Sequence, residues 1–154
     1  ETAGEQVIPN PNSAVIWHYR GQDLNNNGKI DFEEEFHRTI GMPAVANGLL
    51  VVGDHSGVVH CLDAATGKAF WTYDMMASIW GSPLIADGKV YIGDEDGDVA
   101  VFALSRERQL LAENTVGSSV YTVPAATDGV LYIVSQRHLM AISQKKPVPS
   151  SEGP

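Results

Sequence analysis

IGMPAVANGLLVVGDHSGVVHCL, residues 40–62, is followed by WGSPLIADGKVYIGDEDGDVAVF, residues 80–102, at a constant offset of 40 with no gap. Gly41 falls on Gly81, Pro43 on Pro83, Gly48 on Gly88, Gly53 on Gly93, Asp54 on Asp94 and Gly57 on Gly97. VYTVPAATDGVLYIVSQRHLMAI, residues 120–142, is a third copy, with Pro124 and Gly129 in register and a shorter turn after Val134. Repetition at this period marks a repeat architecture. Within each copy, short runs of Val, Ile, Leu, Tyr and Phe are broken by glycine and aspartate turns, a pattern of strands.

In the second copy the pattern predicts strands over residues 79–86, 89–93, 98–104 and 110–114, and the first copy has the same four, ending in KAFWTY (68–73). Four short antiparallel strands in about 40 residues is one propeller blade. Ahead of the first blade, AVIWHYRG (14–21) resembles KAFWTY and reads as a fourth strand. The third copy has only three strands before the polar tail QKKPVPSSEGP (144–154), which reads as disordered or a linker. The expected fold is therefore all-β: a propeller of four-stranded antiparallel blades, about three of them, over residues 14–143 and behind an N-terminal extension, 1–13.

Rings typically use about four to eight blades. Either the chain is part of a larger propeller, or two copies close a six-bladed homodimer in which residues 14–19 of each cap the other's last blade and hide its open edge. The first residue is Glu1 rather than Met, the mark of a processed chain or a piece of one.

Ten Lys and Arg stand against 19 Asp and Glu, a formal net charge of −9 that opposes nucleic-acid phosphates and anionic lipid. The one cysteine, Cys61, cannot form an intrachain disulfide. No apolar run reaches the roughly 18 residues of a membrane-spanning helix.

LDAATGKAFW, residues 62–71, resembles the tryptophan-docking motif of the quinoprotein-like propeller family, whose members include pyrroloquinoline quinone (PQQ) dehydrogenases and many repeat proteins that bind no quinone. The resemblance implies that Trp71 docks against an adjacent blade and that Gly67 takes the turn between the third and fourth strands. Trp17 takes the same position in the preceding strand, while Ala112 holds it in the second blade. The resemblance implies no catalysis by itself. The paired cysteines that the dehydrogenases carry over their quinone cannot be supplied by one cysteine, so PQQ is not expected. The function expected is a non-catalytic propeller that presents a surface to a protein or small ligand, as repeat proteins of envelope assembly complexes do. A subunit or fragment of a PQQ-dependent dehydrogenase is the alternative.

Between the strand-like residues 14–21 and the first blade lies DLNNNGKIDFEE, residues 23–34. Asp23, Asn25, Asn27, Asp31 and Glu34, with Gly28 at the sixth position, match the calcium-loop pattern. A hard cation takes six to eight oxygens, which three short side chains, the Lys29 carbonyl, Asp31 and both oxygens of Glu34 supply. Ile30 is expected to point away from the metal and pin the loop. No second copy and no incoming helix are present, and DFEEEFHRT (31–39) reads as at most a short helix, so the loop is expected to be a structural clip rather than a sensor. A calcium site suits a periplasmic or extracellular setting.

Asp54 and Asp94 to Asp98 recur between copies and read as turn formers. His60 and Cys61 fall on opposite faces of one strand and do not converge on a metal. His18 and His37 read as surface or packing residues. Trp80, just before Gly81 and matched by Ile40, either packs in a core or faces the central channel.

Overall fold

The computed structural model describes residues 12–144. The extension up to residue 11 and the tail from residue 145 lie outside the described residues. Eleven strands form three antiparallel sheets among the described residues. Blade 1 is β1 (Ala44–Ala46), β2 (Leu49–Gly53), β3 (Val58–Asp63) and β4 (Ala69–Asp74); blade 2 is β5 (Leu84–Ala86), β6 (Lys89–Gly93), β7 (Asp98–Ala103) and β8 (Leu110–Thr115). Blade 3 has β9 (Ala125–Thr127), β10 (Val130–Val134) and β11 (Leu139–Ser143). The order in each sheet is sequential, so each blade is an up-and-down meander.

Each blade opens with the same hairpin. Asn47 and Gly48, Asp87 and Gly88, and Asp128 and Gly129 all take positive φ, between 49° and 75°. Two such residues in a row form the turn whose twist matches the flanking strands, which is why Asn-Gly and Asp-Gly occur there. The next turn is held by a side chain. Asp54 Oδ1 accepts from the N–H groups of Ser56 and Val58, and Asp94 Oδ1 from those of Gly97 and Asp98. In blade 3 the turn is one residue shorter and Ser135 Oγ accepts from His138 N–H. In blades 1 and 2 the outer strand pairs through a bulge, after Cys61 and after Val101.

The blades stack through their faces. Val51, Val59, Cys61 and Trp71 of blade 1 meet Val90, Ile92, Ala100 and Phe102 of blade 2 in one buried cluster. A smaller cluster of Val99, Val120 and Ile133 joins blades 2 and 3. Ile79 and Val120, in the segments that lead into blades 2 and 3, are plugs seated on glycines of the blade before. A Cβ on Gly53 would lie 2.7 Å from Ile79, and one on Gly93 would lie 2.5 Å from Val120. The tryptophan docking is present: Trp71 Nε1 donates to the Ser105 carbonyl of blade 2 at 3.0 Å. Trp17 does the same to blade 1, donating to the Ala64 carbonyl at 3.2 Å. Gly67, at φ +72°, brings its backbone so close to Trp17 that a Cβ would lie 2.5 Å from the ring.

Two expectations need correction, and a third is met at its lower limit. Residues 14–19 form no strand; they run beside blade 1 with Trp17 docked, but the third strand they would pair with is absent from the described residues. The inner strand of blade 2 begins at Leu84, not residue 79, because Ile79 is a plug, Gly81 touches the Thr122 backbone and Pro83 has no N–H for a ladder. The helix after the inserted loop shrinks to one 3-10 turn, Phe32–Glu34, since the chain then doubles back on residues 20–22.

Candidate functional site

The inserted loop is closed at its neck like a hairpin. Gly21 bridges Glu35, Phe36 N–H donates to the Arg20 carbonyl at 2.9 Å, and Gln22 N–H to that of Glu34 at 3.3 Å. Gly21 has φ +135° and a Cβ there would lie 2.7 Å from the Glu34 carbonyl oxygen and 3.0 Å from Ile30 Cγ2, so Ile30 does lean on the neck. Gly28, at φ +89°, makes the sharp bend.

Inside the neck the expected residues come together. Asp23 Oδ2 accepts from Gly28 N–H at 2.8 Å; Asn25 Oδ1 accepts from Asn27 N–H at 2.9 Å, and Asn27 Oδ1 from Lys29 N–H at 3.0 Å. The amides of Asn25 and Asn27 both donate to Asp31 Oδ2, at 2.9 and 2.6 Å. Glu34 is buried, its Oε1 accepting from Leu24 and Asn25 N–H and its Oε2 from Asp31 N–H. The Lys29 ammonium lies 2.6 Å from Asp31 Oδ1. That bond, with those from Asn25 and Asn27, holds the Asp31 carboxyl down to about 2. In this arrangement the oxygens serve N–H donors, and no group of three or more His, Cys, Asp or Glu among the described residues is set to hold a metal.

The loop is bolted to blade 1 by a buried network that the sequence reading missed. Asp54 and His60 are both fully buried. Asp54 Oδ2 lies 3.2 Å from His60 Nε2 and 3.2 Å from His37 Nδ1, and accepts from His37 N–H at 3.1 Å. Burial would raise the Asp54 carboxyl, but the bonds from His60, His37 and Val58 outweigh it and leave it below the usual range. An ionised Asp54 makes the imidazole nitrogens facing it donors, so His60 Nδ1 is left to accept from Tyr19 O–H at 3.3 Å. Burial, with the charges of Glu34 and Asp54, raises Tyr19 to about 12. Tyr19 and Phe36 press on the His60 ring edge-to-face, and Phe32 stacks near His37. Residues on both sides of the loop thus grip one histidine and one aspartate of the blade.

Aligning the copies exposes the signal that was available. His60 and His37 correspond to Ala100 and Ala77 in blade 2, so only blade 1 can satisfy its aspartate this way. Asp94 is equally buried, and its Oδ2 has no hydrogen-bond partner among the described residues. Cys61 does face away from His60; burial pushes its thiol up to about 12, and its Sγ lies 3.9 Å from the Ser105 carbonyl. Such a thiol is a packing group, not a nucleophile.

Trp80 lies at a surface. With Ile40 and Tyr121 it lines a cavity of about 460 Å3 beside the innermost strands, its indole N–H donating to Glu95 Oε2 at 2.6 Å. A second, apolar cavity of about 200 Å3 lies on the open face of blade 1, between Trp17, Tyr19 and Phe36 and the strand residues Leu50, Val52 and Leu62. No helix among the described residues is long and apolar enough to cross a membrane.

Residues 7–110 match the family described as outer membrane protein assembly factor BamB. The chain is similar to outer membrane protein assembly factor BamB of Burkholderia pseudomallei, 30% identical over 112 residues, which is 72% of this chain and 29% of that protein. It is 33% identical to the protein of the same name from Shewanella oneidensis over 72 residues, 46% of this chain and 18% of that one. The chain thus spans less than a third of these relatives. Among solved structures, BamB of Moraxella catarrhalis superposes with a TM-score of 0.56 at 21% identity, over 63% of this chain and 30% of that one. A quinohemoprotein alcohol dehydrogenase from Comamonas testosteroni gives 0.53 at 22% identity, over 62% and 17%, a likeness of fold.

Proposed function

The chain belongs to the outer membrane protein assembly factor BamB family, and from that membership we propose that it is a non-catalytic binding propeller, periplasmic or extracellular, that works as a scaffold for other polypeptides. The carrying observation is that the two end blades lack a neighbouring blade among the described residues. Leu50, Val52 and Leu62 occupy in blade 1 the positions by which Val90, Ile92 and Phe102 of blade 2 bury themselves against blade 1. In blade 1 they surround an apolar cavity, the seat of one more blade. At the other end β11 has no fourth strand beside it among the described residues, and Leu139 and Ile142 are exposed. Residues 14–19, docked by Trp17 and without a ladder partner among the described residues, complete the complementarity: they would become the outer strand of a blade whose inner three strands come from elsewhere. Further blades of a longer chain or a second copy would close the ring.

In the same reading the inserted loop is a calcium clip. Asp23, Asn25, Asn27, the Lys29 carbonyl, Asp31 and Glu34 offer the hard oxygen donors that calcium selects, and Gly28 supplies the bend. Calcium would take Asp31 from Lys29, an exposed side chain that gives way easily. Because Glu34 and Tyr19 meet at the loop's base, with the Tyr19 hydroxyl oxygen 3.5 Å from the Glu34 carbonyl oxygen, stiffening the loop would stiffen the blade-1 network. An anionic quinone does not fit the mouth at Trp80, where the indole is tied to a carboxylate. Retained quinone absorbance after incubation with PQQ and calcium would instead favour a dehydrogenase subunit.

The test is solution mass by light scattering together with thermal unfolding, with calcium and with chelator. A second copy closing the ring gives about 33 kDa, twice the 16.6 kDa chain. Calcium at about a hundred times its Kd should add about 2.7 kcal/mol of stability, and Glu34→Gln should remove that gain. A monomer at any concentration refutes closure by a second copy; no calcium response refutes the clip.

A further inference from the structure

We propose that the mouth formed by Ile40, Trp80, Tyr121 and Glu95 is a docking site for a basic side chain, arginine above all, carried on an apolar stretch of a partner polypeptide. This rests on the scaffold reading and names the chemistry it would recognise.

The three side chains hold equivalent positions in successive blades, each just before the segment that leads into the innermost strand. Backbone contacts keep the segments side by side. A Cβ on Gly41 would lie 2.5 Å from the Gly81 carbonyl oxygen, and one on Gly81 would lie 2.5 Å from that of Thr122. The residues one step earlier, Ile79 and Val120, are the buried plugs of the blade interfaces. Since alternate residues of an extended segment point to opposite sides, the side chains that follow point outward. Ile40 is 51% exposed, Trp80 37% and Tyr121 44%, although the blade interfaces beneath Trp80 and Tyr121 are already plugged by Ile79 and Val120. Large exposed side chains in one row, not needed by the core, mark a surface that meets something.

The charge says what. Trp80 is held edge-to-face between His55, with centroids 4.3 Å apart, and Tyr121, at 5.8 Å, while its N–H binds Glu95. The mouth therefore presents two aromatic rings beside a carboxylate, and no Lys or Arg among the described residues pairs with Glu95. A guanidinium meets both needs at once, through ring faces and through charge-assisted hydrogen bonds. A neutral apolar side chain would desolvate Glu95 without return, and an anion would be repelled. Exposed Met42 and Val123, one row further along, give the partner's apolar neighbours a place to lie. The formal charge of −9 steers a basic segment toward the chain.

The test is a titration of the full 154-residue chain, followed through the Trp80 indole N–H resonance and assigned by its loss in Trp80→Phe. The probes are the peptides acetyl-Gly-Leu-Arg-Leu-Gly-amide and its glutamine counterpart, acetyl-Gly-Leu-Gln-Leu-Gly-amide. The arginine peptide should shift the resonance saturably, and the glutamine peptide should bind about tenfold more weakly, as expected for one charge-assisted contact. Glu95→Gln, an exposed and conservative change, should bring the two peptides to equal affinity, and Tyr121→Ala should weaken the arginine peptide. Equal response to both peptides, or no shift at Trp80, overturns the proposal. If the chain completes a ring as above while Trp80 stays unmoved, the site falls and the scaffold stands. If the arginine peptide binds a chain that never associates, ring closure by a second copy falls and the site stands.

Discussion

Replacing Trp71 measures how much of the fold depends on blade docking. Its ring is 5% exposed, its N–H reaches the Ser105 carbonyl, and its centroid lies 5.2 Å from that of Phe102. An aromatic of this size buries roughly 200 Å2, about 5 kcal/mol at about 25 cal/mol per Å2, an upper bound because the unfolded chain is partly compact. Trp71→Ala is therefore expected to cost about 4 kcal/mol, within the range of large-to-small aromatic substitutions. Trp71→Phe keeps most of the ring but leaves the Ser105 carbonyl unpaired and a small void, about 2 kcal/mol. Trp17→Phe should cost no more than about 1 kcal/mol, because Trp17 is only half-buried and one face of its segment is open. Urea unfolding followed by far-ultraviolet circular dichroism gives the three values, with equal slopes as the check that two states are compared. If Trp71→Phe costs less than Trp17→Phe, or Trp71→Ala less than about 1 kcal/mol, the blades are not held together in this way.

Two further predictions follow from positions that the repeats make comparable. Gly93→Ala places a methyl 2.5 Å from Val120, at an interface, whereas Gly48→Ala meets nothing within 4 Å and suffers only from φ +75°. Urea midpoints should show about 1–3 kcal/mol lost for Gly93→Ala and about 1 kcal/mol for Gly48→Ala. Asp54 and Asp94 should respond to pH with opposite sign. The folded pKa of Asp54 is below its unfolded 3.8, so its contribution is present above that value and is lost as pH falls through the folded pKa. Burial raises Asp94 despite its backbone donors, so it favours folding at low pH and loses that effect as pH rises through its folded pKa. At pH 7, Asp54→Asn should lose about 2 kcal/mol and Asp94→Asn should gain about 1 kcal/mol in urea unfolding; the Asp94 difference should shrink as pH falls toward 4, whereas the Asp54 difference should persist at pH 4 and shrink only below its unfolded 3.8. A stabilising Asp54→Asn or a destabilising Asp94→Asn would contradict the assignment of their partners.

The blade pattern was legible because its determinants are local. Asn47-Gly48, Asp87-Gly88 and Asp128-Gly129 specify a turn by themselves, and alternating β-branched residues on either side set the register. The docking of Trp71 was legible from the motif around it. What escaped depends on partners distant in sequence. Residues 14–19 have a strand's composition but need a neighbour to be one, and composition does not say whether the neighbour is there. The clasp of Tyr19, His37, Asp54 and His60 joins residues up to 41 apart, and Asp54 was correctly seen as a turn former without the second task of its other oxygen.

Repeats make departures from the repeat informative, since the shared residues already account for the blade. The turn carboxylate is satisfied by two histidines in blade 1, has one oxygen without a hydrogen-bond partner among the described residues in blade 2, and gives way to Ser135 in blade 3. The histidines occur beside the inserted loop, where Tyr19, Phe32 and Phe36 close over them, so this departure serves to seat the loop. At the docking position the departure runs the other way. Ala112 replaces tryptophan in blade 2, and its strand β8 is exposed along its whole length, so the buried apolar contact with blade 3 is a small cluster centred on Val99, Val120 and Ile133. Buried packing and hydrogen bonding are therefore most extensive around the loop and blade 1 and least at blade 3. Completion of the ring at the β11 edge should matter most for the blade that has least of its own to hold it.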